Sequence, residues 1–246
     1  MRAWAPRLLA IVLAALGAFW GVATLPLFWH ARAIGATADL IIQGHRFATS
    51  EVAVEAAGAD AMGLSLSIAA RRSLAILKLR LVEDALNSGD RSSLDRRFAD
   101  LKRSTTDVLE IEPSDAFFWL IYYWCNLNTE GYSPAQLKFL QASYDFGPNE
   151  GWIAIRRNRL ALAALSGLSP AMSERVMSEF TGMVASGLIV DAANSLMGPG
   201  ASVRPELLKR LVVVPIAERE RFARYLRENG VDLAVPGVEQ PEKHFY

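Results

Sequence analysis

Twenty-two consecutive residues without a charge, Leu8 to Trp29, stand at the very start of this chain. A hydrocarbon core of about 30 Å asks for roughly 20 apolar residues in helix, so the run is long enough to span a bilayer even with Pro26 near its far end. Arg2 and Arg7 precede it, and only His30 and Arg32 follow closely. The positive-inside bias therefore places the N-terminus in the cytoplasm and the body outside. Ala31-Arg32-Ala33 and Ala36-Thr37-Ala38 have the small-residue form of a signal cleavage site, so a cleaved signal stays open beside a retained anchor. The apolar core of a signal runs only roughly 7 to 15 residues, which favours the anchor. The expected organisation is a basic cytoplasmic N-terminus (1–7), a transmembrane anchor (8–29), one exported α-helical domain (30–234) and a C-terminal tail (235–246).

With 246 residues, 52% hydrophobic and 21% charged, the chain can bury a core behind the anchor and does not read as disordered. Its 26 basic and 26 acidic residues cancel, and setting aside Arg2 and Arg7 leaves 24 against 26 after the anchor. Such a body lacks the concentrated positive field of a nucleic-acid binder, and no nucleic-acid partner is expected. Cys125 is the single cysteine, so no internal disulfide can form, and its aromatic neighbourhood reads as the setting of a buried, inert thiol. The histidines are His30, His45 and His244. No imidazole between residues 46 and 243 can activate a nucleophile or ligate zinc. A phosphate-cradling glycine loop, a nucleophile elbow and a Cys-x-x-Cys pair are all missing from the sequence. Neither a catalytic set nor a metal or cofactor site is expected.

Beyond the anchor, apolar residues recur at helical spacing, with punctuation about every 20 residues, which reads as all-α. A first helix continues from the membrane through Leu40, Ile41 and Phe47, and an Ala/Gly-rich stretch breaks near Gly63. Asn87-Ser88-Gly89-Asp90 ends one helix and starts the next. Pro113 terminates that helix, and Ser114 or Asp115 can cap an aromatic helix from Ala116 to about Asn128. Its unbroken apolar stretch is about half the roughly 20 residues of a span, so it is a core helix. Ser133-Pro134, Gly147-Pro148, Ser169-Pro170, the Gly198–Gly200 loop, Pro215 and Gly230 mark further boundaries. Roughly ten helices follow from this spacing.

Trp119 and Trp152 are 33 residues apart, each a few residues after a proline. That spacing resembles the 34-residue tetratricopeptide repeat. With Trp119 at the early aromatic position, Ala135, Phe139 and Ala142 fall where the repeat takes alanine, a bulky aromatic and alanine, and Pro148 comes one residue late. Tyr123 and Asn126 depart from the pattern, so the repeat is degenerate. An α-helical bundle and a degenerate tetratricopeptide-like solenoid both remain open. The segment from Pro148 through Trp152 and Arg156-Arg157-Asn158-Arg159 to Leu160 resembles small membrane-anchored, tetratricopeptide-like proteins of bacterial exopolysaccharide biosynthesis clusters. The resemblance is best over residues 114–165. It implies an inner-membrane accessory or scaffold with no catalytic residues, a periplasmic body and protein partners in an envelope assembly.

Two other function classes are open: a membrane-bound enzyme of lipid or sugar metabolism, and a helical carrier whose aromatic helix lines an apolar pocket. Trp119, Tyr122, Tyr123 and Trp152 are candidate contacts for a partner, a sugar or a neighbouring helix. Arg156, Arg157 and Arg159 form the other candidate set. With Asn158 they sweep roughly 300° about one helix axis, so at least one must face a neighbouring helix and find a partner there. Asp145, Glu150 and helix-end carbonyls are the nearest in sequence.

Overall fold

The computed structural model describes residues 4–63 and 67–239, with the side chains of 5–7, 23–24 and 26–31 outside that description. The described chain is all-α, with eleven α-helices, four short 3₁₀ turns and no strand. It divides into two compact units, Met1–Pro113 and Ser114–Tyr246, in place of the one domain expected behind the anchor. The division falls at the proline that ends one helix and the polar pair that starts another.

The first unit contains α1 (Trp4–Ile42), α2 (Thr49–Met62), α3 (Ile68–Ser88) and α4 (Arg91–Leu109). Helix α3 is central, because α1, α2 and α4 all pack against it. Its Leu74 and Leu77 meet Ile34 of α1 and Val52, Ala56 and Ala59 of α2 in one buried cluster. Alanines at 56 and 59 are small enough to let the α2 backbone come close. Arg97 of α4 donates to the Leu81 carbonyl of α3 at 3.0 Å. The first helix stops at Ile42 rather than reaching Phe47, because Gly44 turns the chain at φ +91°. Gly63 (φ +51°) and Gly89 (φ +71°) close α2 and α3 where the sequence placed its breaks.

Every side chain from Leu8 to Val22 on α1 is exposed, whereas Ile34 and Ala38 further along are buried. No helix among the described residues is long and apolar enough to cross a membrane. Leu8–Val22 is 15 residues, short of the roughly 20 that a span needs, and the rest of the run to Trp29 includes side chains outside the described set. Arg2 and the side chains of Arg7 and His30, on which the orientation reading depends, also lie outside it.

The second unit contains α5 (Ala116–Glu130), α6 (Leu137–Phe146), α7 (Gly151–Ala163), α8 (Pro170–Ala185), α9 (Ile189–Met197), α10 (Arg204–Arg210) and α11 (Ile216–Glu228). Its helix starts are chemically explicit. The Asp115 carboxylate accepts from Phe117 N–H and Phe118 N–H at 3.0 and 3.2 Å. Ser133 and Ser169 do the same service, each directly before a proline. Consecutive helices pair, α5 with α6 and α7 with α8, and α7 also touches α5. Phe180 of α8 meets Phe222 of α11 edge-on, centroids 6.2 Å apart. The expected tail at 235–246 is tied down where it begins: Val235 is 3% exposed and Arg219 donates to the Pro236 carbonyl. Residues 240–246 lie outside the described residues.

Helices α5 and α7 begin 35 residues apart, whereas Trp119 and Trp152 are separated by 33. The two tryptophans therefore hold different positions, fourth in α5 and second in α7. Phe117 is the counterpart of Trp152, and the two rings are in contact at 4.8 Å.

Candidate functional site

Helices α6, α7 and α8 meet around one charged side chain. Arg157, halfway along α7, is the largest fully buried side chain among the described residues. Its neighbours Ile153, Ala154, Ala161 and Leu162 pack the same face into the core. An isolated cation there would be prohibitively costly, so its surroundings must supply a counter-charge and acceptors.

Glu179 of α8, whose side chain is 5% exposed, supplies the charge. Arg157 Nε and Nη2 both donate to Glu179 Oε1, at 2.9 and 2.6 Å. Arg157 Nη1 donates to the Ser143 carbonyl at 2.6 Å and reaches the Ser143 hydroxyl at 3.3 Å. That carbonyl belongs to the last turn of α6, where it also accepts from the Gly147 N–H at 3.2 Å and the negative end of the helix dipole favours a cation. Because the guanidinium takes only one carboxylate oxygen, the other stays open to more donors. The Tyr144 hydroxyl donates to Oε2 at 2.5 Å and the Asn158 amide does so at 3.3 Å. The guanidinium carbon also lies 4.1 Å from the centre of the Tyr144 ring, within cation–π range. Burial and then the adjacent Glu179 carboxylate hold the Tyr144 phenol well above its usual range, so it remains a donor.

Arg175, one turn before Glu179 on α8, extends the network outward. It donates to the Asp145 carboxylate at 2.5 Å and to the Tyr144 carbonyl at 2.5 Å, again at the end of α6. Beside these groups lies a cleft of about 540 Å³ whose lining includes Tyr144, Asn149, Gly151, Arg175, Ser178 and Gly182. Immediately before Arg175 on α8, Glu174 forms a two-pronged pair with Arg210 of α10 at 2.5 Å on both arms. Both partners there are substantially exposed, so the pair adds little stability.

The expected contact residues are dispersed over three places. Trp119 stacks on Phe139 with centroids 5.9 Å apart and planes 7° apart, and Tyr122 meets the same ring edge-on at 4.8 Å. These half-buried rings join α5 to α6. Tyr123 is buried in the core, and burial raises its phenol above the usual range. Trp152 is partly exposed, with its indole N–H on the Glu150 carboxylate at 2.9 Å. Arg156 and Arg159 are exposed and only Arg157 turns inward. Of the acids nearest in sequence, Asp145 takes Arg175 and Glu150 takes Trp152. The partner of Arg157 is Glu179, 22 residues on. Cys125 is buried, and no cluster of His, Cys, Asp or Glu among the described residues could hold a metal ion.

Sequence reasoning passed over Glu179, Tyr144 and Ser143. A signal for Glu179 existed: Met172, Val176, Phe180 and Met183 are the buried stripe of α8, and position 179 stands within it. A lone carboxylate on an apolar stripe calls for a buried cation elsewhere in the chain. Comparison with family models, with curated proteins and with solved structures finds no match to this chain.

Proposed function

We propose that the chain is a non-catalytic, membrane-anchored helical scaffold of a bacterial cell-envelope assembly. Its helix pairs form a degenerate tetratricopeptide-like array that holds protein partners for exopolysaccharide biosynthesis or export. The observation that carries this reading is the Arg157–Glu179–Tyr144 network. Its strong donors and acceptors are spent on other helices, which fixes α6, α7 and α8 against one another. Helix pairs stacked in sequence form binding surfaces for proteins, and rigid placement of each pair sets the shape of such a surface. The anchor reading draws on the fully exposed apolar face of α1 from Leu8 to Val22, a surface that calls for lipid or protein cover. The envelope and polysaccharide context comes from the resemblance over residues 114–165.

Topology and partnership are tested together. A reporter fused after Tyr246 is expected to be active in the periplasm, with the protein retained in membranes after carbonate washing. Cross-linking in intact cells followed by purification is expected to recover envelope proteins in a defined ratio. A cytoplasmic reporter signal defeats the anchor, and a purified chain that turns over a lipid or sugar substrate defeats the scaffold.

A further inference from the structure

The helix directions of the first unit decide which of its ends lies next to the apolar run of α1. Six residues join α1 to α2, and Thr37 donates to the Glu55 carboxylate at 3.1 Å, so the two form an antiparallel hairpin. Helix α2 also runs antiparallel to α3. Thr49 at its start donates to Asp84 at 2.9 Å, and Asp60 near its end accepts from Lys78 at 2.7 Å. Two reversals make α1 and α3 parallel. A Cβ at Gly35 of α1 would lie 4.0 Å from the Ser73 hydroxyl of α3, which puts those two positions level. Five residues back along each helix, the start of α3 at Ile68 is level with residue 30, directly after the uncharged run.

Helix α4 returns antiparallel to α3. Arg97 near its start bonds the Leu81 carbonyl, and Glu112, just past its end, pairs with Arg72 near the start of α3 at 2.8 Å. The same end of the unit therefore carries Ile68 and Ala69 of α3 together with Ile111, which follows α4. Ile111 is 54% exposed, Ala69 is exposed and Ile68 is half-buried, so this end has an apolar edge.

At about 1.5 Å per residue, the 22 residues from Leu8 to Trp29 measure about 33 Å, close to the roughly 30 Å of a hydrocarbon core. In the anchored chain Trp29 then marks the boundary with the headgroups, which add roughly 5–8 Å on that side. Helix α1 continues unbroken to Ile42 and buries Ile34, five residues past Trp29, in the core of the unit. That leaves no flexible linker in which the unit could swing. Arg32, exposed on α1, stands at the same level, where its long side chain can reach the headgroups. We propose that the first unit stands upright on the bilayer, with the face made by the start of α3 and the end of α4 in contact with the lipid headgroups. Ala69 and Ile111 touch the lipid. The turn between α3 and α4 lies about 30 Å further out, the length of α3 at about 1.5 Å per residue, and faces the aqueous compartment. This placement rests on the anchor reading and adds a fixed orientation to it.

The test uses the full chain in phosphatidylcholine vesicles, with Cys125→Ala as background so that one introduced thiol carries a fluorophore. Ala69→Cys and Ile111→Cys place the label at the near end and Asn87→Cys at the far end, all at exposed positions that tolerate it. A share of the lipid headgroups carries a nitroxide, which quenches only at close range. Fluorescence at 69 and 111 is expected to fall at least twofold relative to vesicles without nitroxide, with the label at 87 unchanged. Equal quenching at all three positions, or none at 69 and 111, overturns the proposal when the protein stays with the vesicles through carbonate washing, and leaves the anchor standing. Protein released by the wash defeats the anchor reading, and the proposal with it.

Discussion

Arg157→Met removes the cation of the buried network at nearly constant volume. The Glu179 carboxylate, 5% exposed, keeps the Tyr144 hydroxyl and the Asn158 amide but loses its counter-charge, and the Ser143 carbonyl loses a 2.6 Å donor. Breaking a buried ion pair from one side costs about 3–5 kcal/mol. That is a large share of the roughly 5–15 kcal/mol available to a domain. At roughly 3–4 °C per kcal/mol for a unit of this length, the melting temperature should fall by about 10–20 °C. Glu179→Gln alone should cost a similar amount, because it leaves Arg157 buried without an anion. In the Arg157→Met background the same substitution should stabilise, since no charge then remains buried and the new amide oxygen still accepts from Tyr144. The double variant should lie within about 2 kcal/mol of the original, because the Ser143 carbonyl then keeps only the Gly147 N–H at 3.2 Å. Urea and thermal unfolding of all four proteins, followed by circular dichroism, measures the cycle. A loss under about 1 kcal/mol for Arg157→Met refutes the reasoning, as does a Glu179→Gln effect that keeps its sign in both backgrounds.

Tyr144→Phe removes a hydrogen bond to a charged partner and should cost about 1.5–3 kcal/mol at neutral pH. The folded phenol titrates above the unfolded one, so its contribution is complete below about pH 10 and declines as pH rises beyond that. The gap between Tyr144→Phe and the original should therefore narrow above pH 10 in unfolding measurements, and a widening gap contradicts the assignment. Gly147→Ala and Gly167→Ala should separate in thermal melts. A Cβ at 147 would lie 2.5 Å from the Ala116 Cβ at the rigid start of α5, which predicts about 1–3 kcal/mol lost, with partial recovery in Ala116→Gly. A Cβ at 167 meets chiefly the Tyr132 hydroxyl, the free end of a half-exposed side chain that can swing away, and should cost under about 1 kcal/mol. Cys125→Ala should leave partner binding intact and cost on the order of 1 kcal/mol, because the fully buried sulfur leaves only a small void. Loss of partner binding with an unchanged melt would give the thiol a role it lacks in the scaffold reading.

The features legible in the sequence were those written in a few adjacent residues. Asp115 before the aromatic helix, serine before proline at 133 and 169, and glycine at 63 and 89 encode helix ends through local hydrogen bonds and backbone freedom, and the helices begin and end there. The rotation argument for residues 156–159 was local in the same sense. It required that at least one of the four face a neighbouring helix, with Asp145, Glu150 and helix-end carbonyls as the nearest partners in sequence, and Arg157 turns inward onto the Ser143 carbonyl. What adjacency could not supply was the counter-charge. Glu179 lies 22 residues away on another helix, and its pairing follows from how α7 and α8 pack, not from any short-range preference. The 33-residue tryptophan spacing differs from the 35-residue helix spacing for a related reason. Identity of residue type suggested equal register, whereas packing needs only a large ring at the second position of each helix, and Phe117 and Trp152 satisfy it against each other. A repeat in this chain is thus better sought in the positions its helices assign to bulk than in recurring letters. By that measure Trp119 belongs with Phe139 and Tyr122, in the seam within the α5–α6 pair, and Trp152 belongs to the contact between α5 and α7.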